Sequence, residues 1–365
     1  MKKVLYITNI PSPYRVEFFN ELSQYCELTV AFEMGAAKDR DKSWKSAEDY
    51  RFRAVFMKAI YKKTEGAFCP EVIRLINDYR KDVIVVGGYS TPTGMYSISY
   101  MKLLHIPFLL NCDGGIIKED SAIKKGIKRF FIGAASGWLS TGKASDQYLI
   151  HYGAKLEKIY HYSFTSIKKT EITCVSQEEK KSFRRRLGIV EGRMVLFVGS
   201  FIHRKGVDIL LKACKNLENT AVVLVGGDNM SPYEEILRDG TKCTIYAVGF
   251  KTKEEVKKYY QAADVFVLPT REDIWGLVIN EAMAHSLPVI TTLKCVAGLE
   301  LVRDGLNGYL VEPEDYSELN KRIKEVLQDD ELRMKMSEKS RERIEWYTIE
   351  NMTREHVKLF ACDKE

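Results

Sequence analysis

Short apolar runs rich in Val, Ile and Leu alternate with longer amphipathic stretches along the whole of this 365-residue chain. Runs of this kind read as strands buried on both faces, and the stretches between them as the helices that cover a parallel sheet. In the first half strands are expected at Lys3–Thr8, Glu27–Phe32, Val83–Val86, Phe108–Asn111 and Gly137–Ser140. Helices are expected at Arg15–Tyr25, Pro70–Tyr79, Gly94–Leu104, Ile123–Gly133 and Ala144–Tyr152. The series then restarts, with strands at Met194–Val198, Ala221–Val225, Thr244–Ala247, Val265–Leu268, Val289–Thr292 and Gly308–Val311. Its helices fall at Gly206–Asn216, Tyr233–Asp239, Lys253–Gln261, Leu277–His285 and Glu314–Gln328, and the tail from Leu332 reads as helical with Trp346 and Tyr347 interrupting a polar run. The charged segment Ser166–Gly188 separates the two series. The expectation is an α/β chain of two facing Rossmann-like domains with a cleft between them, ligands sitting outside the carboxyl ends of the strands.

Composition narrows the class. At 45% hydrophobic and 29% charged residues the chain is globular and not disordered. A net charge of +6 without a patterned basic-aromatic surface argues against nucleic acid. The eight cysteines include no C-x-x-C pair, so reduced thiols are expected and no metal site. MKKVLYITNI has too short an apolar run for a signal peptide, and no run approaches the roughly 20 residues of a membrane span. The chain is therefore expected to be soluble and cytoplasmic, at most peripheral at the inner face of the plasma membrane.

Two loops carry the chemistry. After the strand VFVLP come Glu272, Asp273 and then Gly276-Leu277, which open a helix holding Glu281. A helix start offers unpaired N–H donors and partial positive charge to a diphosphate, and glycine lets the anion approach. A carboxylate such as Glu281 accepts two hydrogen bonds from a vicinal diol, as a ribose presents. An ordinary helix start with acidic neighbours would give the same letters. The second loop, Gly199-Ser200-Phe201-Ile202-His203-Arg204-Lys205-Gly206, follows another strand. Its basic pair fits a diphosphate cradle, Lys205 neutralising the charge in place of a metal ion; a solvated basic turn is the alternative. It matches neither the mononucleotide P-loop nor the dinucleotide fingerprint.

These residues resemble the retaining family-four glycosyltransferases of GT-B fold. The family's G-R-L-x-x-x-K-G, E-x7-E with F-G-L inside it, and E-A-M-A-x-G-x-P-V-I correspond here to GSFIHRKG and DIWGLVINEAMAHSLPVI, followed by LVRDGLNGYLVEPED. In the first half TNIPSPYRVEFFNEL and VVGGYS are similar to members of the same family. The resemblance implies an acceptor-side domain over 1–168, a nucleotide-sugar domain over 169–342 and a final helix, 343–365, packing back toward the first domain. It implies that Lys205 holds the donor diphosphate, that Gly276 and Leu277 present amides to it, that Glu281 binds ribose and that Asp273 touches sugar hydroxyls. Three positions depart from the pattern: Ser200 stands for an arginine, with Arg204 able to supply charge; Asp273 stands for glutamate, with Glu272 beside it; and Ser286 stands for glycine, a change expected to affect only packing.

On the acceptor side, Asp113 follows a strand and could accept a sugar hydroxyl or serve as a turn residue. Arg15 could meet a phosphate or form a surface salt bridge, and Gly88 and Tyr89 could let a ligand approach the backbone. Lys118, Lys124, Lys125, Lys128 and Arg129 lie beside Ile123, Ile127, Phe130, Phe131 and Ile132. Such a segment, 118–132, can lie on an anionic membrane and serve a lipid-linked acceptor; packing of its apolar face on its own sheet is the alternative. The activity implied is transfer of a hexose-type sugar from a UDP- or GDP-sugar to a hydroxyl of a saccharide, with retention and without a metal. A 2-epimerase of the same fold, or an inactive nucleotide-sugar binder, is the other reading.

Overall fold

A computed structural model describes residues 1–35, 50–62, 66–238 and 240–361. It divides into two units: Met1–Ser166 together with Thr348–Glu365, and Ile167–Tyr347.

The first unit runs β1 (Lys3–Thr8), α1 (Pro13–Leu22), β2 (Glu27–Phe32), β3 (Arg53–Phe56), the antiparallel pair β4 (Tyr61–Lys62) and β5 (Ala67–Phe68), and α2 (Val72–Asp78). It continues with β6 (Val83–Val86), α3 (Pro92–Leu103), β7 (Leu109–Cys112), α4 (Ala122–Ile132), β8 (Gly137–Ser140), α5 (Lys143–His151) and β9 (Ile159–His161). Its sheet is parallel, in the order β3-β2-β1-β6-β7-β8-β9. Leu5, Tyr6 and Val85 are wholly buried, as strands covered on both faces require.

The second unit runs α6 (Gln177–Arg186), β10 (Arg193–Val198), α7 (Val207–Cys214), β11 (Thr220–Val225), α8 (Glu234–Leu237), β12 (Thr244–Val248), α9 (Lys253–Ala262) and β13 (Val265–Leu268). Then come α10 (Leu277–Ala284), β14 (Val289–Thr292), α11 (Val296–Leu301), β15 (Gly308–Val311), α12 (Tyr316–Gln328) and α13 (Asp330–Ile344). Its parallel sheet has the order β12-β11-β10-β13-β14-β15. Local chemistry sets the helix starts: Ser176 with Glu179, and Thr252 with Glu255, close reciprocal capping boxes on α6 and α9.

The expected strands fall within a residue of the observed ones, β7 starting at Leu109 and not Phe108. The sequence reading missed β3, β9, the β4–β5 pair and α11. The tail is not one helix. It breaks after Ile344, where Tyr347 turns inward and its hydroxyl donates to Glu300 at 2.9 Å. A further helix, α14 (Ile349–Ala361), then packs in the first unit, the His356 ring 4.8 Å from Phe18 of α1. The charged segment before β10 is not a free linker either. Arg184 of α6 is buried, paired with the fully buried Asp264 at 2.6 Å and donating to the Ala262 and Gly192 carbonyls.

Candidate functional site

In the second sheet the chain steps from β10 outward to β11 and β12, then returns past β10 to β13. Strand order reverses between β10 and β13, the place where open α/β sheets bind ligands. The two loops singled out in the sequence leave these neighbouring strands and meet there. Lys205 Nζ lies 2.5 Å from Asp273 Oδ2, and Arg204 Nη1 lies 3.5 Å from Asp273 Oδ1 while donating to the Glu272 carbonyl at 2.7 Å. Asp273 is buried and Lys205 nearly so, whereas Ser200 and Arg204 are exposed. Asp273 is thus held by two cations and does not stand open in a loop.

The loops are built to stay where they are. Thr270 Oγ1 donates to the Arg204 and Glu272 carbonyls, and the Arg271 amide donates to the Arg204 carbonyl. Arg271 forks onto Asp208 at 2.9 and 2.7 Å and reaches Glu314 and the His203 carbonyl. Burial opposes charge on Asp208, but the Arg271 fork outweighs it and holds the carboxyl below its ordinary range. Gly206 is required where it stands: its φ is +72°, and a Cβ would lie 2.0 Å from the Pro269 carbonyl oxygen. Gly276 enters α10 with φ +100°, and a Cβ there would lie 3.5 Å from Asp273 Oδ2, so the helix start sits beside Asp273.

Glu281 lies one turn into α10, half-buried, and accepts from the Tyr260 hydroxyl at 3.0 Å. His285, one turn further on, donates from Nδ1 to the Glu281 carbonyl at 2.9 Å. Ser286 sits in the left-handed region at φ +56°, with its hydroxyl on the Thr173 carbonyl at 2.9 Å. The glycine it replaces was therefore a conformational requirement and not a matter of packing alone.

In the first unit, order reverses between β1 and β6; Arg15 follows β1, Gly88 and Tyr89 follow β6, and Asp113 follows the next strand, β7. Arg15 is buried and ion-paired to Asp113 Oδ2, and Asp113 Oδ1 accepts from Tyr162 at 2.7 Å and Asn111 at 2.6 Å. The Arg15 pair is neither a surface salt bridge nor a free phosphate ligand, and Asp113 is not a simple turn residue. Burial disfavours charge on Arg15, yet Asp113 together with Tyr6, Tyr14 and Tyr162 outweighs it and raises the guanidinium above its ordinary value. The Tyr89 hydroxyl meets that of Tyr148 at 2.6 Å, while beside Gly88 a Cβ would meet nothing within 4 Å. Gly88 thus leaves open space at a strand end.

The face of α4 departs from the packed alternative. Of its apolar residues only Ile132 is buried; Ile123 is 78% exposed, Ile127 47% and Phe130 44%. Lys124 and Arg129 are exposed beside them with Lys125 half-buried, and α3 ends on exposed Leu103 and Leu104. Lys128 is the exception among the cations, turned inward onto Asp120 at 2.7 Å. Among the described residues no three His, Cys, Asp or Glu side chains group as a metal site, and no helix is long and apolar enough to cross a membrane.

Reasoning from the sequence missed Arg271 and Tyr260, whose partners lie 63 and 21 positions away. The i, i+4 spacing of Glu281 and His285 was the one local signal of the second.

Residues 179–343 match the family described as Glycosyl transferases group 1. An uncharacterized glycosyltransferase of Methanocaldococcus jannaschii is 31% identical over 52% of this chain and 50% of its own length. The lipopolysaccharide glucosyltransferase WaaG of Escherichia coli is 28% identical over 44% of this chain and 45% of its own. The chain thus spans about half the length of these relatives. Anabaena HepE, solved in complex with UDP and glucose, superposes over 98% of this chain and 99% of its own with a TM-score of 0.78 at 16% identity. The two units are therefore Rossmann-like units of GT-B type.

Proposed function

We propose that the chain, whose residues 179–343 match the family described as Glycosyl transferases group 1, is a glycosyltransferase that moves a hexose-type sugar from a UDP- or GDP-sugar to a hydroxyl of a saccharide, with retention of anomeric configuration. The observation that carries this reading is the Lys205–Asp273 pair set against the start of α10. Lys205 and the first amides of α10, at Gly276 and Leu277, stabilise the departing diphosphate by fixed charge and dipoles. Gly199 and Ser200 give the anion room beside them, and Arg204 supplies the charge that Ser200 does not. Glu281 takes the ribose diol. Asp273, with Glu272 adjacent, faces the sugar hydroxyls. No residue here has to bind a metal for the charge to be met. Asp113 and Arg15, with Gly88 and Tyr89, form the acceptor side.

A thermal-shift screen of UDP- and GDP-sugars identifies the donor, since a ligand at 100 times its Kd adds about 2.7 kcal/mol to the folded state. With that donor, Glu281→Ala is expected to weaken nucleotide binding at least about tenfold, the loss of a charged hydrogen bond. Unchanged binding and turnover would remove the ribose assignment. Conversion of the donor in the absence of any acceptor would point instead to an epimerase.

The acceptor is lipid-linked in this reading, and the enzyme works from the cytoplasm on the inner face of the plasma membrane. The support is α4: exposed Ile123, Ile127 and Phe130 match the acyl boundary, and Lys124, Lys125 and Arg129 match anionic headgroups at about 1 kcal/mol each. Sedimentation with vesicles rich in anionic lipid at low salt is expected, and loss of it on Ile123→Glu with Ile127→Glu. Equal recovery with neutral vesicles would discard the contact.

A further inference from the structure

Glu281 is held from two sides by side chains distant from the diphosphate loops. Tyr260, on α9 and 2% exposed, donates its hydroxyl to Glu281 Oε2 at 3.0 Å, the Val278 carbonyl at 3.4 Å being its only weaker neighbour among the described contacts. Its ring lies nearly parallel to His285, 13° apart at 5.3 Å, and edges Phe266 at 5.9 Å. His285 in turn holds the Glu281 carbonyl through Nδ1, which leaves Nε2 as a buried, unpartnered acceptor. Burial keeps that imidazole neutral by pushing it below its ordinary pKa. Tyr260, Glu281 and His285 therefore close a triangle of one side-chain bond, one backbone bond and one ring stack.

Such a triangle does more than tie α9 to α10. The Tyr260 ring is buried and packs on Phe266 and His285, and a phenylalanine would keep those ring contacts. Beyond a long contact to the Val278 carbonyl, what the hydroxyl adds is a fixed direction for the Glu281 carboxylate. A diol must be met by two acceptor oxygens at set positions, and a half-buried glutamate left to itself samples several rotamers. Burial, reinforced by the charge of Glu281, also pushes the Tyr260 hydroxyl well above its ordinary pKa, so it stays a donor throughout the neutral range.

We infer that Tyr260 is a positioning residue that fixes the Glu281 carboxylate for the two hydroxyls of the donor's ribose, and so sets the preference for a ribonucleotide over a deoxyribonucleotide. The inference rests on the assignment of Glu281 to the ribose. It is tested by calorimetric binding of UDP and GDP and of their 2′-deoxy counterparts to the wild-type protein, Glu281→Gln and Tyr260→Phe. The wild type is expected to prefer the ribonucleotide about 10- to 100-fold, the range for a hydrogen bond to a charged group. Tyr260→Phe is expected to lower that preference about fivefold or more, by weakening the ribonucleotide and leaving the deoxynucleotide nearly unchanged. A purely structural tyrosine would weaken both alike, or only lower the melting temperature, and that result overturns the inference while Glu281→Gln still abolishes the preference. If Glu281→Gln keeps the preference, the ribose assignment itself fails, and the role of Tyr260 with it. Should Tyr260→Phe fold poorly, Phe266→Leu, which loosens the packing of the Tyr260 ring while leaving its hydroxyl, Glu281 and His285 in place, is expected to retain the preference; loss there would show that packing and not the hydroxyl sets it, and overturns the inference.

Discussion

Ser286 closes α10 in a backbone conformation that L side chains disfavour, and its hydroxyl bond to the Thr173 carbonyl is what compensates. Ser286→Ala keeps the strain and discards the bond, so urea unfolding is expected to show a loss of about 1–2 kcal/mol. Ser286→Gly discards both and is expected to lie within about 0.5 kcal/mol of wild type. If the two variants are equally unstable, the compensation is wrong. The same scale explains what the letters of the site revealed. Lys205, Asp273, Gly276 and Glu281 were legible because a basic pair, a helix-opening glycine and spaced carboxylates carry their chemistry in their identity. The bonds that aim them were not. Arg271 looks like any loop arginine until the fold brings Asp208 and Glu314 to it. Asp113 and Arg15 each invited two readings, because nothing in either segment names the other, 98 positions away.

Among the elements, α6 is the most instructive. Its sequence, QEEKKSFRRR, reads as the charged end of a domain boundary, and the helix is held within the second unit by Arg184 on the buried Asp264, with Arg333 of α13 3.9 Å away on the other oxygen. Breaking a buried pair by removing one partner typically loses about 3–5 kcal/mol, because the other charge is stranded. Asp264→Ala is therefore expected to lower stability by that order, detectable as a large fall in the urea midpoint; a change below about 1 kcal/mol would mean the pair is not load-sharing. Strand legibility followed burial. β1, β2, β13 and β14 are Val- and Ile-rich because both faces are covered, and they stood out. At the sheet edges, β9 is three residues long and holds His161, and the short apolar run Ala54–Met57 over β3 sits between charged neighbours, so neither stood out. The six-residue α11 contains Gly298 and depends on packing, since a Cβ there would lie 2.4 Å from Thr291.

Across the whole molecule, two buried titrating groups in the first unit oppose one another. Burial raises Glu33 to about 7 despite its bonds to Thr91 and the Ala67 amide, and lowers His356 to about 4. A folded carboxyl that holds its proton more tightly than the unfolded chain favours folding below about 4.5, and this is lost as pH rises from there to about 7. A depressed histidine favours folding above about 6.5, and this is lost as pH falls toward 4. Between these limits the two slopes partly cancel. Glu33→Gln removes one of them, so its stability relative to wild type is expected to climb between pH 4.5 and 7, by at most about 1.4 kcal/mol per unit. A difference that stays flat across that window would show that Glu33 does not titrate there. The His356 side of this balance sits on α14, the helix that follows the whole second unit yet packs on α1. During synthesis, the ribosome adds roughly 5–20 residues each second, so the apolar surface of Phe18 is made early and the His356 ring that packs on it follows the whole second unit. The second unit is complete in sequence before the first can be, and the nascent chain must carry an unfinished seam through most of its translation.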